Sequence, residues 1–227
     1  VTPAEIQDAI ANTLQMPLCK DADPEALRRE LESHFNIQVD DFRIIEAHER
    51  KRPWLKDRRA DISWNFWNRY RDYLENEKGF SPKVLAGVDL LTDRILDSLF
   101  DPTEKIVIDK RGLVVGQVQS GKTSNYSGLI CKAADSGFKL IIVLAGIHNN
   151  LRSQTQQRID ESFLGFDTQH QRASNTSLKN MGVGYPINKL VAHSITSSLE
   201  NGDFSAGAAN SLGLNFNTND PIVAVVK

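Results

Sequence analysis

The chain has 227 residues, of which 40 % are hydrophobic and 25 % are charged. These values are typical of a folded protein of one or two domains and exclude intrinsic disorder, collagen-like repeats and coiled-coil rods. The 27 basic and 29 acidic residues give a formal net charge of -2. No overall positive charge therefore indicates a nucleic-acid partner, and any such contact must be local.

The cysteine content and the lack of a targeting signal predict a cytoplasmic protein. Cys19 and Cys131 are the only cysteines, too few for a disulfide framework or a metal-binding cluster. The longest apolar run, residues 140–147, is far shorter than the ~20 residues that a membrane span requires. The chain does not begin with Met, and we expect it to be part of a longer protein.

Residues 1–104 predict an all-helical N-terminal domain. A capping box with proline at the first helical position opens a helix at Thr2–Glu5, and Asp23–Pro24 opens another. Ser81–Pro82 opens a third helix, which Asp101–Pro102 closes. The aromatic segment 64–73 is also predicted to be helical.

Residues 105–227 predict an α/β domain, because short β-branched runs alternate with helical segments. This alternation is typical of a parallel sheet with helices on its faces. The predicted strands are residues 106–108, 113–115, 140–144, 190–195 and 222–226. Two polar stretches, 168–188 and 197–221, are predicted to be long loops.

A phosphate-binding motif follows the second predicted strand. Its G-x-x-x-x-G-K-T spacing lets backbone N–H groups point at phosphate oxygens, and the N-terminus of the next helix adds its dipole. Lys122 is expected to reach the β- and γ-phosphates of ATP, and the Thr123 hydroxyl to ligate Mg²⁺. The predicted nucleotide-binding residues are Gly116, Gln117, Val118, Gln119, Ser120, Gly121, Lys122, Thr123 and Ser124.

The segment after the strand at 140–144 is a candidate nucleic-acid contact. Ligands of open parallel sheets bind beyond the carboxyl ends of the strands, so this segment lies on the same edge as the phosphate motif. Its amides and guanidinium suit a nucleic-acid backbone, and the candidates are Asn149, Asn150, Arg152 and Gln154. The alternative is a solvated helix that packs through Leu151, Ile159 and Phe163.

ATP hydrolysis normally needs an acidic residue at the carboxyl end of a neighbouring strand. No predicted strand ends in Asp or Glu. Asp160 and Glu161 lie within a predicted helix, and Asp220 precedes its strand. We therefore expect this chain to bind ATP without hydrolysing it efficiently.

Two other function classes stay open. An endonuclease with its own metal site is one, since Asp40, Asp41, Glu49 and Lys51 resemble the acidic and basic residues of restriction-type nucleases. The other is a nucleotide-gated protein-interaction module that never contacts DNA. The aromatic group Trp64, Trp67 and Tyr70 suits base stacking, but aromatics at helical spacing are more often core residues.

Three segments together resemble the bacterial Z-one domain family, often labelled putative endonuclease. They are residues 111–126, with the glycine-rich motif, residues 129–134, and residues 140–156, which read LIIVLAGIHNNLRSQTQ. The tryptophan-rich helices upstream and residues 219–227 also fit this family, so the resemblance covers nearly the whole chain.

The resemblance implies a P-loop, RecA-like ATPase lobe similar to those of superfamily-two helicases. It implies a DNA-directed motor or switch in restriction-modification or phage-defence operons, beside a MutL- or MORC-like ATPase, a restriction-type nuclease and a DNA methyltransferase. By resemblance, Gly116–Thr123 is motif I, and Asn149–Gln156 corresponds to the motif Ia region that contacts the nucleic-acid backbone. The family's acidic motif II is then expected beyond Lys227.

Overall fold

The computed structural model describes residues 3–16, 23–26, 53–105, 107–115, 122–173, 178–185, 190–207 and 218–227. These residues form a mixed α/β structure that contains a parallel sheet. None of the helices in the described ranges combines the length and hydrophobicity needed to cross a bilayer.

The first half of the described chain is helical, as predicted. Its helices are α1 (Pro3–Leu14), α2 (Leu55–Arg58), α3 (Asn65–Asn76) and α4 (Pro82–Ser98), and residues 24–26 are also helical. The Ser81 side chain caps α4 by accepting a hydrogen bond from Val84 N (3.4 Å), and proline follows at the first position. Thr2 of the predicted capping box lies outside the described residues.

The second half alternates helices and strands. It contains α5 (Lys122–Ser136), β1 (Leu140–Leu144), α6 (Asn149–Ile159), a π-helix (Asp160–Leu164), α7 (Thr168–Ala173), a 3₁₀ turn (Gly182–Gly184), β2 (His193–Ser194) and β3 (Ile222–Val226). The strand order is β1-β3-β2, and both pairings are parallel. Leu140 pairs with Ile222 and Leu144 with Val226, so the predicted strands 140–144 and 222–226 are confirmed.

Two predicted strands are wrong for the described residues. Residues 107–108 and 113–115 form no regular structure, and Leu113 and Val115 are 86 % and 85 % exposed; Ile106 lies outside the described residues. A strand is stable only when a neighbour pairs with its backbone, and no described strand lies beside this segment. The outer edge of β1 is likewise unpaired among the described strands.

Two further predictions need correction. The strand predicted at 190–195 is only two residues long, because the Ser194 hydroxyl donates to Thr196 O (2.8 Å) and draws the chain out of the ladder. The loop predicted at 168–188 contains α7 and the 3₁₀ turn. Asp167 caps α7 by accepting hydrogen bonds from Gln169 N (2.9 Å) and His170 N (3.1 Å).

One hydrophobic core joins the helical half to the sheet. Trp67 and Tyr70 of α3 belong to the same buried cluster as Cys131 of α5, Phe163 of the π-helix and Val225 of β3. Burial of the Cys131 thiol raises its pKa well above the ordinary value. Trp67 and Tyr70 are only 4 % and 3 % exposed, which confirms the core interpretation for them; Trp64 is half-buried. The domain boundary at residues 104–105 stays a prediction.

A buried lysine of α5 forms ion pairs with two aspartates of α4. The Lys132 side chain has no solvent exposure, and its ammonium donates to Asp89 Oδ1 (2.5 Å) and Asp93 Oδ1 (2.6 Å). It also lies 4.4 Å from the centre of the Trp67 ring. The guanidinium of Arg59 pairs with the same two carboxylates. Two cations thus balance two anions, as burial of charge requires.

A second tertiary contact caps helix α3. Trp64, at the N-cap position of α3, makes no side-chain cap. The Asp135 carboxylate of α5 accepts hydrogen bonds from Phe66 N and Trp67 N, both at 2.9 Å. These two N–H groups belong to the first turn of α3, where backbone donors have no partner within the helix. Burial raises the pKa of Asp135 to about 6, although these N–H groups oppose the shift.

We predict that Lys132→Met lowers the free energy of unfolding by about 2–4 kcal/mol. Removal of one partner from a buried ion pair leaves uncompensated charge, and the partial exposure of Asp89 and Asp93 reduces the penalty. Urea denaturation measures the change, and Lys83→Met, at an exposed position of α4, is the control. A loss below about 0.5 kcal/mol, the range of surface substitutions, would contradict the proposed role.

We also predict that Asp135→Asn changes how stability depends on pH. Because the folded-state pKa of about 6 lies above the ordinary 3.8, the folded protein binds the proton more tightly. Stability from this group is therefore present below about pH 4 and is lost as the pH rises to 6, by up to about 3 kcal/mol.

Denaturation at a series of pH values tests this expectation. The difference in unfolding free energy between the wild type and Asp135→Asn should change across the interval from pH 4 to 6. Asp72→Asn, at an exposed position of α3, is the control and should follow the wild type in parallel. Parallel curves for Asp135→Asn would show that burial does not perturb this carboxyl.

Candidate nucleotide and nucleic-acid site

Only some of the predicted phosphate-binding residues lie in the part of the chain that the structure describes. Gly116, Gln117, Val118, Gln119, Ser120 and Gly121 lie outside the described residues. Lys122, Thr123 and Ser124 form the first turn of α5; Lys122 is exposed, and the other two are half-buried. The helix predicted to follow the motif is thus present and includes the lysine of the motif.

Connectivity places the N-terminus of α5 toward the carboxyl end of β1. Only residues 137–139 separate α5 from β1, and the helix packs on the strand through the cluster that contains Ile130, Cys131 and the half-buried Ile141 and Val143. A helix that ends beside the start of such a strand runs antiparallel to it. Lys122 therefore lies toward the edge where ligands of parallel sheets bind.

Helix α6 begins at the same edge, and four residues separate it from β1. Its N-cap residue is His148, and Asn149 and Asn150 form its first turn. Asn150 and Gln154 are exposed, and Asn149 is half-buried. Three of the four predicted nucleic-acid contacts therefore have side chains that reach solvent on α6.

The fourth candidate, Arg152, is fully buried. Its guanidinium donates to Ser197 O (2.9 Å), to Gly202 O (3.4 Å) and to Leu199 O. Burial lowers the pKa of Arg152 from its usual value, and Asp203 opposes the shift. In this structure Arg152 therefore holds the segment after β2, and no part of its side chain is open to a phosphate.

The inner face of α6 carries a buried polar network. Gln156, which is fully buried, donates to Asp160 Oδ1 (2.8 Å) and accepts from the Thr196 hydroxyl (2.6 Å). That hydroxyl also accepts from Val225 N (2.9 Å). Sequence reasoning missed this network; the available signal was the i, i+4, i+8 spacing of Arg152, Gln156 and Asp160, which puts all three on one helix face.

Asp160 and Glu161 lie in the helical stretch, as predicted. Asp160 is 1 % exposed, and its other oxygen accepts from Thr168 N (3.1 Å) and Thr168 Oγ1 (2.6 Å). Burial raises its pKa to about 6. Glu161 accepts from the Tyr73 hydroxyl and from Lys78 Nζ (2.9 Å). Neither carboxylate lies at the carboxyl end of a strand.

The residues of the endonuclease alternative, Asp40, Asp41, Glu49 and Lys51, lie outside the described residues. Within the described ranges, no three His, Cys, Asp or Glu side chains are grouped so as to hold a metal ion.

Comparison with protein-family models, curated proteins and solved structures found no match to this chain.

Proposed function

We propose that this chain binds ATP with Mg²⁺ through Gly116–Thr123, as the P-loop of a RecA-like lobe. The observation that carries the proposal is that Lys122 and Thr123, the last residues of the glycine-rich motif, are helical residues of α5 and lie toward the carboxyl edge of a parallel sheet. In this arrangement the backbone N–H groups of the motif contact the phosphates, Lys122 neutralises the β- and γ-phosphates, and Thr123 ligates Mg²⁺.

A P-loop also requires a strand before the motif. Leu113–Val115 are apolar and exposed, and alternate side chains of β1 (Leu140, Ile142 and Leu144) are more than half exposed. Residues 113–115 do not pair with β1 in this structure, so the described residues do not supply this strand.

The wider proposal is that the chain is the N-terminal part of a helicase-like, DNA-directed ATPase of a restriction-modification or phage-defence system. It rests on the resemblance of residues 111–156 to the Z-one domain family. The partners proposed on the same basis are DNA, a MutL- or MORC-like ATPase, a restriction-type nuclease and a DNA methyltransferase. None of the described strands supplies a carboxylate at its carboxyl end, so we expect ATP binding without efficient turnover.

We predict that Lys122→Ala weakens ATP binding by about 1–3 kcal/mol, the range for a hydrogen bond to a charged group. Calorimetry with ATP and ADP, with and without Mg²⁺, measures the affinities, and phosphate release is followed in the same samples. Lys83→Ala, at an exposed site of α4, is the control. Equal affinities of the wild type and Lys122→Ala would contradict the phosphate role.

The DNA contact has a separate test at the start of α6. The double variant Asn149→Asp/Asn150→Asp should weaken DNA binding at low salt, because each substitution puts a negative charge beside the phosphate backbone. Acidic residues in the first turn favour the helix, so α6 should stay intact. Fluorescence anisotropy measures binding as salt rises, and affinity for a phosphate contact should fall steeply.

The matched control is Asn68→Asp/Asn76→Asp on the exposed surface of α3, which adds the same charge elsewhere. Equal losses in both double variants would indicate a nonspecific charge effect and contradict a contact at α6. Absence of DNA binding by the wild type even at low salt would favour the nucleotide-gated interaction module instead.

A further inference from the structure

An open cavity of about 490 Å³ lies where α6, the π-helix and α7 meet. Carboxamides form much of its lining, from Gln154 and Gln157 of α6 and Gln169 of α7. The carboxylate of Glu161 and the thioether of Met181 also line it. The cavity thus offers hydrogen-bond donors, acceptors and a polarizable apolar surface in one place.

The walls of this cavity are rigidly built. Gly182 has a φ of +48°, and a Cβ on it would lie 2.1 Å from Glu161 O. A Cβ on Gly184 would lie 1.7 Å from Gly165 O. The segment that carries Met181 therefore rests directly on the π-helix through glycines that no larger residue can replace. π-helical turns are rare and occur frequently at functional sites.

The charges around the cavity nearly cancel. Glu161 pairs with Lys78 (2.9 Å), and Asp167 pairs with Lys179 (3.7 Å). Asp160 and Arg158, which also line the cavity, add one charge of each sign. A phosphate gains little in such surroundings, whereas a neutral ligand that both donates and accepts hydrogen bonds is well matched.

A nucleobase with an amino group has this chemistry. Carboxamides bond the N6 and N7 positions of adenine, and carboxylates accept a hydrogen bond from N4 of cytosine. Tyr73 and Lys78 both bond Oε1 of Glu161; no hydrogen bond to Oε2 comes from the described residues, so this oxygen can accept one from a ligand. Burial alone would raise the pKa of Glu161, but these two bonds lower it below the ordinary value, which keeps the acceptor ionised.

We propose that this cavity binds an amino-bearing nucleobase, adenine or cytosine, between Gln157 and Glu161, with Met181 against the ring. The base comes either from a single strand or from a free nucleoside, because both present the same edge. The inference goes beyond ATP binding at Gly116–Thr123 and does not depend on it.

Calorimetry with nucleosides tests the cavity directly, because nucleosides carry no phosphate. Adenosine or cytidine should bind at least about fivefold more tightly than uridine and thymidine, the lower range for one base contact. Gln157→Leu should abolish this preference, and Asn68→Leu on α3 should retain it. Lys122→Ala should also retain the nucleoside preference. The test of the cavity therefore gives its answer whether or not ATP binds at Gly116–Thr123.

A second variant guards against a purely structural effect of the first. Glu161→Gln replaces one acceptor oxygen by a donor and should also abolish the preference, whereas Glu75→Gln, on the exposed surface of α3, should not. Thermal unfolding of each variant verifies the fold. A preference that survives both Gln157→Leu and Glu161→Gln in folded protein would overturn the proposal.

Single strands of equal length identify the source of the base. If nucleosides bind without preference, homopolymers of deoxyadenosine, deoxycytidine and thymidine are compared with an abasic strand by fluorescence anisotropy. A preference for the first two that Gln157→Leu removes supports a base held within a strand. Equal binding of all four strands, or no binding of any strand or nucleoside, overturns the proposal.

Discussion

The buried ion pairs of Lys132 are the interaction on which the described fold depends most. An ammonium with no solvent exposure is stable only if anions reach it, and Asp89 and Asp93 of α4 do so at 2.5 and 2.6 Å. The pairs fix both the distance and the rotation of α5 against α4. The aromatic face of Trp67 completes the cage from α3. The helix held in this way carries Lys122, the lysine of the phosphate motif, near its N-terminal end.

A close backbone approach accompanies this charge arrangement. A Cβ on Gly128 would lie 3.0 Å from the Trp67 ring and 3.4 Å from Thr92, so α3, α4 and α5 meet at a position where a larger residue would force the Trp67 ring to shift by a few tenths of an ångström. The Asp135 carboxylate, two turns further along α5, caps α3. Helix α5 therefore connects the helical half of the chain, through charge, cap and close packing, to the sheet.

The two faces of helix α6 make different contacts. The inner face, with Arg152 and Gln156, holds the segment after β2 and the end of β3 through buried hydrogen bonds. Such bonds are costly to break in a low-dielectric interior, so they fix the backbone around them. The outer face, from Asn150 to Gln157, stays exposed and reaches from the carboxyl edge of the sheet to the cavity beside the π-helix. Both proposed ligand contacts of α6 rely on the rigidity of the inner face.

The amino-acid sequence by itself determined the elements whose signals are local. Proline and cap residues predicted the start of α4, aromatic residues at helical spacing predicted α3, and the glycine-rich motif predicted the helix after it, α5. Unbroken β-branched runs predicted β1 and β3, because each of these signals acts on its own backbone. Only the tertiary structure decided that residues 113–115 are irregular. The same apolar pattern forms a strand when a neighbouring strand pairs with its backbone and stays irregular when none does. The tertiary structure also decided that Arg152 faces inward, where carbonyls of a distant segment satisfy it. A guanidinium on a helix has no local preference between a phosphate and such carbonyls, and the choice depends on which partner folding brings within reach.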